Sequence, residues 1–284
     1  MAFIPLREED LPCLAPRAPE AHKGNFGQVF VLGGGPGMGG ALALACTAAY
    51  RSGAGLVTAI GHPSAVPYLA AHLPEALWWD WPAGFSMLPE RAVLAVGPGM
   101  GQGLAAHNLL QEIGGLSGFQ VWDADALNIL ARMGPALLRG GAERLFTPHP
   151  GEAARLLDVS VATVQADRAA AIVQLQARYG GSWVLKGHHS LILAASESPS
   201  AWLCPWGNPG MATGGSGDVL TGILAGLLAQ TGSPTDALRL GVALHARAGD
   251  RAAARLGEAS LLASDIIAEI SHFLKELQAH YDRN

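Results

Sequence analysis

The sequence predicts an α/β protein, a three-layer sandwich with a central, mostly parallel sheet between helices. Three observations carry this prediction. Short runs that are apolar on both faces recur, such as Gln28–Leu32 and Phe119–Trp122; strands covered on both sides read this way. Ala- and Leu-rich stretches of helical length separate the runs, as right-handed crossovers between parallel strands require. Most of the runs also end in Gly, Asp, Lys or His. Open α/β sheets bind ligands beyond the carboxyl ends of their strands, so these residues should collect on one rim.

The elements follow in order. Gln28–Leu32 reads as a strand ended by Gly33-Gly34-Gly35, and Ala41–Ser52 as a helix closed by Gly53. Leu56–Ile60 and Ala92–Val96 are the next strands, the second ended by Gly97-Pro98-Gly99. Phe119–Trp122 precedes Asp123, Arg144–Phe146 precedes Thr147-Pro148-His149, and Ser182–Leu185 precedes Lys186-Gly187. A helix is expected over Ala126–Met133. Leu191–Leu203 suggests a hairpin turning at Glu197-Ser198-Pro199. Val219–Gln230 is a helix apolar enough to be buried, and Ser264–Leu277 is an amphipathic closing helix. The Ala76–Leu88 segment, with Trp78, Trp79 and Trp81, gives no clear pattern. Residues 1–20 form a lead-in, and 21–284 a single domain with no internal repeat.

Composition narrows the function classes. The chain has 284 residues, a formal charge of −5 and only 18 Lys plus Arg. That argues against a nucleic-acid binder, which needs a basic footprint. The charge-free stretch between Lys23 and Arg51 resembles a membrane span, but six glycines and Pro36 between Gly33 and Gly40 break it. No membrane association is expected. Three widely spaced cysteines make no CxxC pair, which points to a reducing cytoplasm. Gly33-Gly34-Gly35-Pro36-Gly37 invites a dinucleotide-fold reading. The acidic residue expected about 20 positions on is absent, so an oxidoreductase is rejected.

The most informative segment is Asn208-Pro209-Gly210-Met211-Ala212-Thr213-Gly214-Gly215-Ser216-Gly217-Asp218, which runs straight into a helix. A glycine-rich turn opening a buried helix presents unpaired N–H groups and the positive dipole end to an anion. Asp218, in the first turn, suits a base that takes a proton from a hydroxyl attacking phosphorus. The plainer alternative is a helix cap. Lys186, one of only three lysines, can reach a phosphate from its strand end, and Gly187 lets backbone approach closely. His188 and His189 are adjacent; in an extended segment they face opposite ways, so no metal site is expected there. The two prolines around His149 suit a side chain that must be aimed, or an N-cap with Glu152 in the first turn. Asp123 and Asp125 could orient the waters of a Mg²⁺ ion. Alternatively, Asp125 caps its helix, the reading preferred here, and Asp123 holds a loop.

Gly-Ser-Gly-Asp at 215–218 resembles the anion hole and catalytic Asp of the ribokinase-like superfamily. The longer string from Asn208 to Leu227 is similar to the ADP-dependent NAD(P)H-hydrate dehydratase family. His22–Gly27, Arg51–Val57, Gly97–Gly101, Asp123–Asn128, Thr147–Glu152 and Leu185–Gly187 agree with it in order. The resemblance runs from about residue 20 to the end. Asn25 stands where Asp is common, Ser216 where Thr is common, and His188-His189-Ser190 where small residues and Thr are usual.

The resemblance implies a carbon–oxygen lyase that restores NADH or NADPH from its 6S hydrate (NADHX, NADPHX), converting ADP to AMP and phosphate with Mg²⁺. It implies Asp218 as the catalytic base, with Gly214, Gly215, Ser216 and Gly217 as the anion hole. Ala41, Gly99, Gly101, His149 and Asp218 would contact the hydrated dinucleotide. Lys186, Gly187, His188, His189, Ser190 and Gly217 would contact the AMP part. It further implies a homotetramer and a companion NAD(P)H-hydrate epimerase, expected on a separate chain. The alternatives are a hydroxymethylpyrimidine- or thiazole-type kinase, which would release a stable phosphorylated product, and a nucleotide-sensing protein without turnover.

Overall fold

A computed structural model describes residues 2–80, 85, 88–89, 92–195 and 200–281. Its ten strands form one sheet: β1 (Ile4–Pro5), β2 (Gln28–Leu32), β3 (Leu56–Gly61), β4 (Leu77–Asp80), β5 (Val93–Val96), β6 (Phe119–Trp122), β7 (Glu143–Phe146), β8 (Ser182–Leu185), β9 (Leu191–Ala194) and β10 (Ser200–Leu203). The spatial order is β1-β10-β9-β8-β7-β6-β5-β2-β3-β4. The run from β4 to β8 is parallel; β9 is antiparallel to both β8 and β10. The hairpin expected over Leu191–Leu203 is therefore present, while its turn at 197–199 lies outside the described residues. The lead-in contributes β1, parallel to β10, and buries Leu6 and Leu11.

Alternation along each strand feeds two cores. Val29 and Val31, Val93 and Ala95, Val121, Leu145 and Val184 face one way. They meet α1 (Gly39–Arg51), α2 (Val66–His72), α8 (Ser216–Thr231), α9 (Pro234–Leu256) and α10 (Ala263–Tyr281). Phe30, Leu32, Leu94, Val96, Trp122, Phe146 and Trp183 face the other way. Their partners are α3 (Leu104–Ile113), α4 (Ala124–Met133), α5 (Pro150–Leu157), α6 (Val161–Ala166) and α7 (Arg168–Tyr179). Burial of both faces explains the continuous apolar runs. The Trp78-Trp79 segment, unreadable beforehand, is edge strand β4. The 23-residue α9 was not anticipated at all.

Helix α8 packs unusually close to α1. A Cβ built on Gly222 would sit 2.1 Å from the Ala45 carbonyl oxygen, and one on Gly226 would sit 2.5 Å from that of Ala49. Glycines four apart on one face let the backbones touch, which sets the position of the α8 N-terminus.

The chain runs outward from β2 through β3 and β4, then returns to β5 beside β2. This reversal opens a crevice at the carboxyl ends, the usual ligand position in such sheets. The loops after β2 and β5 are tied together there. Gly34 N donates to Pro98 O at 3.0 Å and Gly35 N to Gly99 O at 2.7 Å.

Candidate active site

Two strand ends and two helix starts converge on this rim. Asp123 follows β6, Lys186 follows β8, His149 and Glu152 open α5, and Asp218 lies in the first turn of α8. Lys186 Nζ donates to Asp123 Oδ1 at 2.8 Å, and Thr221 Oγ1 donates to Asp123 Oδ2 at 2.8 Å. Asp123 is 1% exposed. A second carboxylate, Glu152 Oε2, stands 4.0 Å from Lys186 Nζ. Gly217 lies directly against this pair, with a built Cβ 3.1 Å from Lys186 Nζ and 3.5 Å from Asp123 Oδ2.

Burial and crowding tune these groups. Burial, then the Asp123 charge, pushes the Asp218 carboxyl up to about 7, with Lys186 opposing. Burial likewise lifts Glu152 to about 7, against the pull of Lys186. Burial works to lower the Lys186 pKa. The charges of Asp123 and Glu152, the Asp123 hydrogen bond and the Asp218 charge outweigh it, so the ammonium is held above its ordinary value. A carboxyl near neutrality in a cleft, beside a fixed cation, is what proton transfer at physiological pH requires.

The glycine-rich loop leads directly into α8. Gly215, at φ 90, caps α8, and Ser216, Gly217 and Asp218 are its first helical residues. First-turn N–H groups have no partner within the helix. Asp218 is not the cap, so the plainer reading of this residue does not describe the structure. Ser216 Oγ lies 3.2 Å from His245 Nε2 of α9.

His149 combines both of its sequence readings. Its Nδ1 accepts from Gly151 N at 2.9 Å and Glu152 N at 3.3 Å, while Glu152 Oε2 accepts from His149 N at 2.8 Å. This reciprocal cap aims the ring, whose Nε2 is 3.4 Å from Glu152 Oε1. Burial, then the Lys186 charge, lowers the His149 pKa and keeps the ring neutral. Ala41 and Gly99 are in contact distance across the crevice: Gly99 sits at φ 57, and its built Cβ falls 3.1 Å from the Ala41 Cβ.

The acidic pair is corrected by the structure. Asp125 does not cap α4; it holds the glycine loop, accepting from Gly101 N at 2.9 Å and Gln102 Nε2 at 2.7 Å. Asp123 occupies the cap position but turns its carboxylate inward to Lys186 and Thr221. Ala124, at φ 50, makes the reversal between the two.

The histidine pair is corrected as well. His189 has φ 54, so residues 186–190 are not extended. The His188 and His189 rings lie together, their centroids 3.8 Å apart. Among the described residues no group of three His, Cys, Asp or Glu is arranged to hold a metal ion. Arg168 fastens this loop, donating to Leu185 O at 2.9 Å, His188 O at 2.6 Å and His189 O at 3.2 Å, and Ser190 Oγ donates to Gly187 O at 3.3 Å.

Sequence reasoning missed Glu152 as part of the charge cluster, and Thr221, Arg168 and His245. Thr221 had a signal: it follows Asp218 by three residues, one turn along the same helix face. Arg168 and His245 had none, because their partners are distant in sequence. The departure at Asn25 is harmless to local structure, since its Oδ1 accepts from His22 N at 2.9 Å.

A doubly covered sheet with this crevice, a glycine-rich helix start and an acidic residue behind it defines a ribokinase-like α/β/α protein. The family model described as NAD(P)H-hydrate dehydratase matches residues 29–272, and the chain belongs to that family. It is 40% identical over 270 residues to the ADP-dependent (S)-NAD(P)H-hydrate dehydratase of Neisseria meningitidis, covering 91% of this chain and 88% of that protein. It is 45% identical over 262 residues to the bifunctional NAD(P)H-hydrate repair enzyme of Coxiella burnetii, covering 91% of this chain and 52% of the relative. The chain thus spans about half the length of the bifunctional relatives. The ADP/ATP-dependent NAD(P)H-hydrate dehydratase of Bacillus subtilis, co-crystallised with ATP/Mg²⁺, superposes with a TM-score of 0.87 at 29% identity, covering 98% and 99% of the two chains. No helix among the described residues is long and apolar enough to cross a membrane.

Proposed function

We propose that this chain dehydrates the 6S hydrate of NADH or NADPH, converting ADP to AMP and phosphate. The observation that carries the reading is Asp218: half-buried, lifted to about 7, and set in the first turn behind the Gly214–Gly217 loop. Asp218 takes the proton of the C6 hydroxyl as its oxygen attacks the β-phosphorus of ADP. The bridging P–O bond breaks and AMP departs. The loop N–H groups and Lys186 hold the charge on the transferred phosphoryl group. The ring nitrogen then pushes phosphate from C6, and loss of a proton from C5 restores the reduced ring.

His149, Ala41, Gly99 and Gly101 would receive the dinucleotide. Residues 186–190 and Gly217 would receive the AMP part. Mg²⁺ binds through one or two carboxylates together with substrate phosphates and water. Asp123 and Glu152, both turned toward Lys186, fit that sparse role and would hold its waters; the ion would neutralise phosphate charge. The family reading also carries a cytoplasmic homotetramer and a companion activity that interconverts the hydrate epimers. Neither the small-molecule kinase nor the sensor reading is favoured by a feature of this site.

The test is recovery of the near-ultraviolet absorbance of NADPH when the protein meets NADPH hydrate, Mg²⁺ and either ADP or ATP. Recovery with ADP and release of AMP is expected, with Asp218→Asn slower by about 10³-fold or more. Unchanged turnover in that variant would remove Asp218 from the mechanism. No turnover by wild-type protein that still binds ADP would remove the activity.

A further inference from the structure

His245 is a half-buried histidine that the mechanism above does not use. It belongs to α9, the long helix packed on α8, and lies 29 residues from Ser216 in sequence. Its Nε2 is 3.2 Å from Ser216 Oγ. Ser216 is the first helical residue of α8, 8% exposed, between Gly215 and Gly217 of the anion-hole loop. Burial pushes His245 down to about 4; hydrogen bonding to the Ser216 backbone opposes this, and the Lys186 charge adds to the depression. The ring is therefore neutral and has one donor and one acceptor.

The direction of this hydrogen bond decides what the loop offers an anion. If Ser216 donated to the ring, the lone pairs of its hydroxyl would be left over, and they repel phosphate oxygens. If the ring donates, the hydroxyl proton is left over and can donate to phosphate. The first turn of α8 presents N–H donors to an anion, and only with Nε2–H donating does the Ser216 hydroxyl, 3.2 Å from that nitrogen, join them as a donor.

We infer that His245 is a positioning residue: its Nε2–H donates to Ser216 Oγ and so fixes the Ser216 hydroxyl as a hydrogen-bond donor to the transferred phosphoryl group. This rests on the proposed dehydratase reaction for its kinetic consequence. The tautomer does not depend on that reaction. The donor acts on charge that develops during transfer, so its loss falls on kcat rather than on the KM for the hydrate.

Two measurements test it. Long-range ¹H–¹⁵N correlation spectra of the wild-type protein report the His245 tautomer without any turnover. The Nε2–H form is expected; the Nδ1–H form or an imidazolium at neutral pH would overturn the inference. In the kinetic arm, His245→Leu should lower kcat about 10-fold with KM for NADPH hydrate little changed, and His245→Asn or His245→Gln, which keep an N–H donor, should recover part of the loss. In a Ser216→Ala background, His245→Leu should add less than about 2-fold. An equal loss with or without the Ser216 hydroxyl would show a merely structural role. If His245→Leu does not fold, the Asn and Gln variants carry the same cycle. If wild-type protein turns over no hydrate, the reaction reading fails, and the tautomer still decides the hydrogen bond.

Discussion

Lys186 Nζ sits 2.8 Å from Asp123 Oδ1, and the other oxygen of that carboxylate takes the Thr221 hydroxyl at 2.8 Å. The lysine is 18% exposed at the side chain and the aspartate 2%. Removing one partner of such a pair strands the other charge. Asp123→Ala should therefore cost about 3–5 kcal/mol, read as a lower urea midpoint with the slope unchanged. Adding Lys186→Met should return part of that stability while abolishing nucleotide turnover. A double variant as unstable as Asp123→Ala would mean that the stranded ammonium is not the source of the loss.

Asp218 makes a second prediction, with a definite sign. Its folded pKa of about 7 lies above its ordinary carboxylate value. The folded state thus binds the extra proton, and this contribution is fully present below the unfolded pKa and lost as pH rises through about 7. Asp218→Asn carries no such loss. It should melt a few degrees higher than wild type at pH 8, with the gain shrinking below pH 7 and gone by about pH 4. The same ionisation should give wild-type kcat/KM a rising limb through about pH 7. A limb near pH 4 would mean that another group sets the rate.

His149 separates cap from ligand. Its Nδ1 accepts from Gly151 N and Glu152 N, so His149→Ala should cost about 1 kcal/mol of stability and weaken hydrate binding. His149→Asn keeps a capping oxygen. It should restore the melting temperature and leave KM for the hydrate raised. Recovery of both together would assign His149 to the cap alone.

The fold was readable where one physical cause dominated. Gln28–Leu32, Phe119–Trp122 and Ser182–Leu185 are buried on both faces, and their sequence bounds coincide with β2, β6 and β8. Leu77–Asp80 was not readable: it pairs on one side only, and its ends are exposed while Trp78 and Trp79 are half-buried, which gives no period-two signal. Helix α9 hid behind mixed composition, since its charged residues lie among a stripe of Ala, Leu and Gly. The candidate site divides the same way. Glycine turns and strand-end residues announce themselves locally. The Asp123–Thr221 bond joins positions 98 residues apart, and no spacing rule encodes it. The misassigned cap at Asp125 traces to the left-handed turn at Ala124, which an alanine does not advertise.

The glycines of the α8 segment should respond to a single methyl in three different ways. A Cβ on Gly214 would meet nothing within 4 Å and Gly214 is not among the positive-φ glycines. Gly214→Ala should keep stability within about 0.5 kcal/mol of wild type. Gly217→Ala places its methyl 3.1 Å from Lys186 Nζ. The lysine must give way, so nucleotide turnover should fall by more than 10-fold, roughly, with the fold retained. Gly222 faces a carbonyl that cannot move, Ala45 O at 2.1 Å from the built Cβ. Gly222→Ala should part α8 from α1 and cost about 3 kcal/mol or more, lowering the thermal midpoint. Because α1 also sets where the first turn of α8 stands, that variant should lose activity while still folded. Wild-type turnover in a destabilised Gly222→Ala protein would show that the close helix contact serves stability without placing Asp218.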